Sequence, residues 1–157
     1  MQLLPAYINL FFLMLVMIIR ATHSAVYTMA GEYMYVAAPM LACHNALILY
    51  ADANQGVSGT VMAATVDAYL PPNITDPGSF TYVITAPGTV DTYLTSTNGL
   101  ADPAAVITLV QTLSGNAITA GFVSGGQILT SSTMPEVSAA ASVPNGAYVI
   151  QTTLRTH

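Results

Sequence analysis

The stretch "VYTMAGEYMYVAAPMLACHNALILYADANQG", residues Val26–Gly56, decides the fold. Apolar positions recur every three to four residues: Val26, Met29/Ala30, Tyr33, Ala37, Met40/Leu41, His44, Leu47/Ile48 and Ala51. That spacing is one face of an α-helix. Glu32, Asn45 and Asp52 fall mainly off the stripe. Asn54 followed by Gly56 supplies a stop signal. Pro39 removes one backbone hydrogen bond and predicts a bend there.

Upstream, "LFFLMLVMIIRATHSA" (Leu10–Ala25) continues into this helix. Leu10, Phe11, Phe12, Leu13, Met14, Leu15, Val16, Met17, Ile18 and Ile19 form an apolar run with no polar interruption. Extended back to Leu3 it reaches the short end of a transmembrane span, roughly 17–25 residues. A cleaved secretory signal has a similar core length. The region before the run lacks Lys and Arg, however, and the small-residue rule fits poorly after Ala25. The predicted arrangement is a retained anchor running into a kinked helix. Residues 1–25 form the transmembrane segment and 26–157 an extracytoplasmic head, with 26–55 as its helical spine. The lone Arg20 argues for the opposite orientation by the positive-inside rule. The composition of the remainder outweighs it.

That composition is unusual. Charged residues make up only 6% of the chain and hydrophobic ones 54%; a typical charged share is roughly 25%. Ala21 to Leu154 contains neither Lys nor Arg. Phosphate neutralisation needs a basic patch, so nucleic acid is excluded as a partner. A polybasic site for lipid headgroups is equally absent. The polar surface must consist of Thr, Ser, Asn, Gln and Gly, which suits extracytoplasmic proteins and self-packing subunits. Cys43 is the single cysteine, so no intrachain disulfide forms.

Downstream, residues 56–157 read as sheet and helix. "FTYVITA" (Phe80–Ala86) and "TVDTYLT" (Thr89–Thr95) have strand composition around a Pro87–Gly88 turn. Asp102 as N-cap, Pro103 in the first turn and Gly115 past the end bracket a helix. Val106, Leu109, Val110 and Leu113 give it an apolar face. "AITAGFV" and "QILTS" form a hairpin around Ser124–Gly126, and "VPNGAYVIQTTL" is a last strand. "TVMAATVDAYL" is a short helix or a strand. The expected fold is α+β: a long N-terminal transmembrane-to-head helix packed on a small antiparallel sheet, with one further helix.

Chemistry-bearing motifs are scarce. No HExxH, CxxC, GxSxG or P-loop pattern occurs. His44 and Cys43 are sequence neighbours and point to different helix faces, which suits neither a metal fork nor a nucleophile–base pair. Asp67, Asn73 and Asp76 offer oxygen donors but lack EF-hand spacing. "NIT" at Asn73 matches a glycosylation sequon. No catalytic, metal-binding or cofactor-binding residue is expected. The nine tyrosines, with no Trp, are a skewed set. Tyr27, Tyr33 and Tyr35 suit a membrane boundary or ordinary helix packing. Ala30, Gly31, Ala37 and Ala38 are small enough to admit a second helix.

The order of these features resembles the small PilM proteins of the conjugative thin pilus, a type IVb system. "APMLACHNALILYADANQGVSGTV", the loop "YLPPNI", "AGFVSGGQIL" and "VPNGAYVI" carry the resemblance, over most of Met34–Ile150. It implies a non-enzymatic inner-membrane component of pilus biogenesis, single-pass, with its head in the periplasm. Its partners would be other pilus-assembly or pilin subunits, membrane lipid and further copies of itself. A pilin-like filament subunit and a secreted adhesion module are the alternatives. The prepilin signature is missing, and Leu3–Ile19 holds no acidic residue where pilins place one.

Overall fold

The computed structural model describes residues 31, 33–72, 74, 78–85, 88–94, 100, 102–115, 117–130 and 137–154. The chain divides into two units between Met34 and Tyr35. The anchor run Leu10–Ile19, together with Ala30, Tyr27, Asn73 and Asp76, lies outside the described residues.

Helix α1 spans Tyr33–Ala53. The predicted stripe is its buried side: Ala37, Met40, Cys43, His44, Leu47 and Ala51 are all in the core. Helical structure continues through Pro39. The amide that proline lacks would have bonded the carbonyl of Tyr35, a residue 81% exposed and open to water. At the other end, both the backbone N–H and the side-chain amide of Asn54 donate to the Tyr50 carbonyl, at 3.0 and 2.9 Å. Gly56 then turns the chain with φ at +91°.

Strands β1 (Gly59–Val61), β2 (Phe80–Thr85), β3 (Thr89–Leu94), β4 (Thr119–Ser124), β5 (Gln127–Leu129), β6 (Val137–Ser138) and β7 (Tyr148–Thr153) make one sheet. Every pairing is antiparallel, in the order β1-β2-β3-β7-β4-β5-β6. Helices α2 (Ala63–Asp67) and α3 (Pro103–Leu113) complete the fold. The α+β class therefore holds. The expected set of strands was short by two, β1 and β6, and the expected single further helix was short by α2. "TVMAATVDAYL" is neither purely helix nor strand: it ends β1 and then forms α2. Segments of two to five residues are too short to show a periodicity.

Alternation along the strands assigns the faces. Val90, Thr92, Ile150, Thr152, Ala120 and Phe122 share one face by register. Helices α1 and α3 cover it. Asp91, Gln151, Val149 and Val123 lie on the other. There Val123, Ile128, Val149, Ala140, Val143 and Ala147 form a core cluster, so residues 139–147 act as the lid. The lid is tied to the sheet by hydrogen bonds from Val123 to the Ala147 carbonyl and from Gly146 to the Val123 carbonyl, both 2.9 Å.

Asp102 caps α3 as predicted, its Oδ1 accepting from the amides of Ala104 at 3.0 Å and Ala105 at 3.2 Å. Gly115 ends that turn with φ at +63°. Gly121 meets a different demand. A Cβ there would lie 2.3 Å from the Leu129 carbonyl oxygen. Strand β5 can cross so closely only over a glycine.

Candidate functional site

The polar groups of the core are arranged in closed pairs. His44, brought in by α1, is fully buried. Its Nδ1 lies 3.0 Å from Thr92 Oγ1 on β3, and its Nε2 lies 2.9 Å from Thr152 Oγ1 on β7. A neutral imidazole has one N–H and one lone pair, so one threonine accepts and the other donates. Protonation would place a positive charge in a dry interior. Burial accordingly pushes the His44 pKa down to about 3. The ring is neutral at any ordinary pH and clamps helix to sheet.

On the opposite face, Asp91 is also fully buried. Gln151 Nε2 donates to its Oδ1 at 2.8 Å, and the Thr85 hydroxyl to its Oδ2 at 3.4 Å. Burial raises the Asp91 pKa, and these two hydrogen bonds oppose the rise. Gln151 Nε2 also donates to the Ser138 carbonyl at 3.3 Å, linking the center of the sheet to its β6 edge. Among the described residues no buried side-chain nitrogen or oxygen lacks a partner. Each polar group of the two clusters is answered within the protein. Among the described residues, too, no three His, Cys, Asp or Glu side chains gather as a metal site.

One concavity among the described residues is largely apolar. It lies between α3 and the β4–β5 end of the sheet, lined by Ala104, Ile107, Thr108, Phe122, Leu129 and Tyr148 among others, with a volume of about 130 Å³. Phe122 and Tyr148 pack as a tilted ring pair, with centroids 5.4 Å apart. Phe122 is 37% exposed and Leu129 41%.

The small residues named from sequence are split. Ala37 is fully buried in the head's own core, while Ala38 and Gly31 are exposed. Ala37 is thus closed to a second helix. Helix α1 is the one helix among the described residues long and apolar enough to cross a membrane. Its buried stripe lies on the sheet, which makes it a core helix of the head. The groove is not visible in the sequence, because its walls come from four elements, α3, β4, β5 and β7, whose packing against one another leaves no periodic trace. The exposed Phe and Leu at Phe122 and Leu129 are its only local sign.

One antiparallel sheet, covered by two helices on one face and a loop lid on the other, defines a small α+β head with sealed polar pairs and an open apolar corner. A family model described as PilM matches residues 10–151, and the chain belongs to the PilM family. Membership places it among pilus-related proteins. No curated protein and no solved structure matches it.

Proposed function

We propose that this chain is a non-enzymatic component of type IV pilus assembly in a conjugation apparatus. The run Leu10–Ile19 holds it in the bacterial inner membrane by a single pass, and the head works in the periplasm through protein–protein contacts. The observation that carries this reading is the PilM match over residues 10–151, nearly the whole chain. The site chemistry agrees with it. The polar clusters are closed, and the open corner offers apolar contact area. The absence of Lys and Arg between Ala21 and Leu154 gives the head no basic patch, which speaks against nucleic acid as a partner.

Deleting the chain from pilus-bearing cells tests the reading. Pili and conjugative transfer should disappear, and the intact chain should restore both. A version lacking residues 10–19 should not. Normal pili on deletion cells would contradict the assembly role. Finding the chain along the filament by labelled antibody would move it to the filament-subunit alternative.

A further inference from the structure

Asn145 and Gly146 are the two central residues of a tight turn in the lid, closed by the Ala147 N–H donating to the Pro144 carbonyl at 3.2 Å. Both are exposed. Gly146 takes a φ of +88°, a turn conformation that favours glycine. An asparagine followed by glycine carries a reaction of its own. The next backbone nitrogen attacks the side-chain carbonyl carbon, and glycine has no Cβ to obstruct the approach. Here that nitrogen is already engaged: the Gly146 N–H donates to the Val123 carbonyl at 2.9 Å. The Val123 N–H donates to the Ala147 carbonyl and the Ala139 N–H to the Gly126 carbonyl, both also at 2.9 Å. These bonds tie the lid to β4 and to the β4–β5 turn. The atom that must attack is thus one of the atoms that hold the lid shut.

We propose that Asn145–Gly146 is a site of spontaneous deamidation gated by the lid: the reaction starts when the lid lifts, and its product keeps the lid from closing again. Hydroxide takes the Gly146 amide proton, and the nitrogen's electron pair forms a bond to Asn145 Cγ. The Cγ–Nδ2 bond breaks, and the leaving nitrogen takes a proton from water and departs as ammonia, which restores the hydroxide. Water then opens the cyclic imide, at one carbonyl to give aspartate and at the other to give isoaspartate. The imide nitrogen carries no hydrogen, so the bond to Val123 is lost at that stage. Isoaspartate routes the backbone through its β-carbon and lengthens it by a methylene, so the Pro144–Ala147 turn no longer closes in register. The lid residues Val143 and Ala147 then lose their seat against Val123, Ile128 and Val149.

The full chain, held in detergent micelles in mildly alkaline buffer, tests this. Chymotrypsin makes the peptides, since Ala21 to Leu154 offers trypsin no site. The peptide carrying Asn145 is weighed for the amide-to-acid mass gain and assayed for isoaspartate with an isoaspartyl methyltransferase. Conversion in the native chain should be slower than in denaturant by roughly tenfold or more, because only the open fraction reacts. Val143→Ala loosens the lid from within and should speed the native reaction several-fold. Leu47→Ala, on the opposite face of the sheet, should leave it nearly unchanged. The modified chain, separated by its added negative charge, should exchange the Val123 amide hydrogen several-fold faster than the unmodified chain. Should Leu47→Ala fail to fold, the wild-type comparison and Val143→Ala still decide. Equal rates in native and denatured chains overturn the proposal. So does equal acceleration by Leu47→Ala, which would place the gate at global unfolding, and so does unchanged protection of Val123 after modification.

Discussion

The two faces of the sheet bury opposite kinds of polar group through adjacent residues of one strand. On β3, Thr92 faces α1 and holds His44, whereas Asp91 faces the other way and holds Gln151. The helix face is covered by large side chains, with Met40 and Leu47 fully buried. The lid on the other face is made of small ones, Ala140, Val143 and Ala147. A helix brings a continuous apolar stripe and a neutral polar clamp. A loop lid brings less apolar area, and the buried carboxyl of Asp91 lies on that same face of the sheet. The helix face therefore supplies most of the stability, and the lid face carries the electrostatic cost.

The largest effect that tests this contrast is truncation on the helix face. Leu47→Ala should cost about 3 kcal/mol of unfolding free energy, by lost transfer energy and the cavity left behind. Val143→Ala in the lid should cost about 1.5 kcal/mol. Denaturant melts of both variants measure the difference, and equal losses would break the comparison. Next comes Gly121→Ala. Its new methyl meets backbone at Leu129, which cannot rotate away, so a loss of about 2 kcal/mol is expected with detachment of β5. Hydrogen exchange of the β5 amides would show it.

Acid stability sharpens the contrast further. His44 has a folded pKa of about 3 against an ordinary 6.5. Between those values the unfolded chain binds a proton that the folded chain refuses, so stability falls as pH drops. The slope is about 1.4 kcal/mol per pH unit. His44→Leu should flatten it while lowering stability at neutral pH, because two threonine hydroxyls lose their partner. A slope unchanged in that variant would show that His44 protonates without cost. Asp91 has the opposite sign. Its raised pKa favours folding below the ordinary carboxylate range, and that contribution is lost as pH rises through the raised value. Asp91→Asn should therefore raise the stability of the head at pH 7, the smallest of these effects. The gain should vanish in acid, as thermal melts across pH would record.

Much of this fold is written locally. The α1 stripe, the Asn54–Gly56 stop, the Asp102–Pro103 start of α3 and the β2–β3 hairpin follow from period, caps and turns within about ten residues. The central position of β7 between β3 and β4 does not, because pairing partners far apart in sequence leave no periodic trace. For the same reason His44 was legible as a core residue, while its partners Thr92 and Thr152 were not. The Asp91–Gln151 pair is invisible for the further reason that alternation shows which face a residue takes and not what stands beside it. The groove combines both obstacles, and only the exposed Phe122 and Leu129 hint at it.

We propose that this PilM-family head works from a retained membrane anchor. The direct test is the N-terminal residue and the fractionation of the native chain recovered from pilus-bearing cells. The native chain should still carry residues 10–19 and sediment with the inner membrane. A soluble periplasmic chain beginning near Ala25 would contradict it.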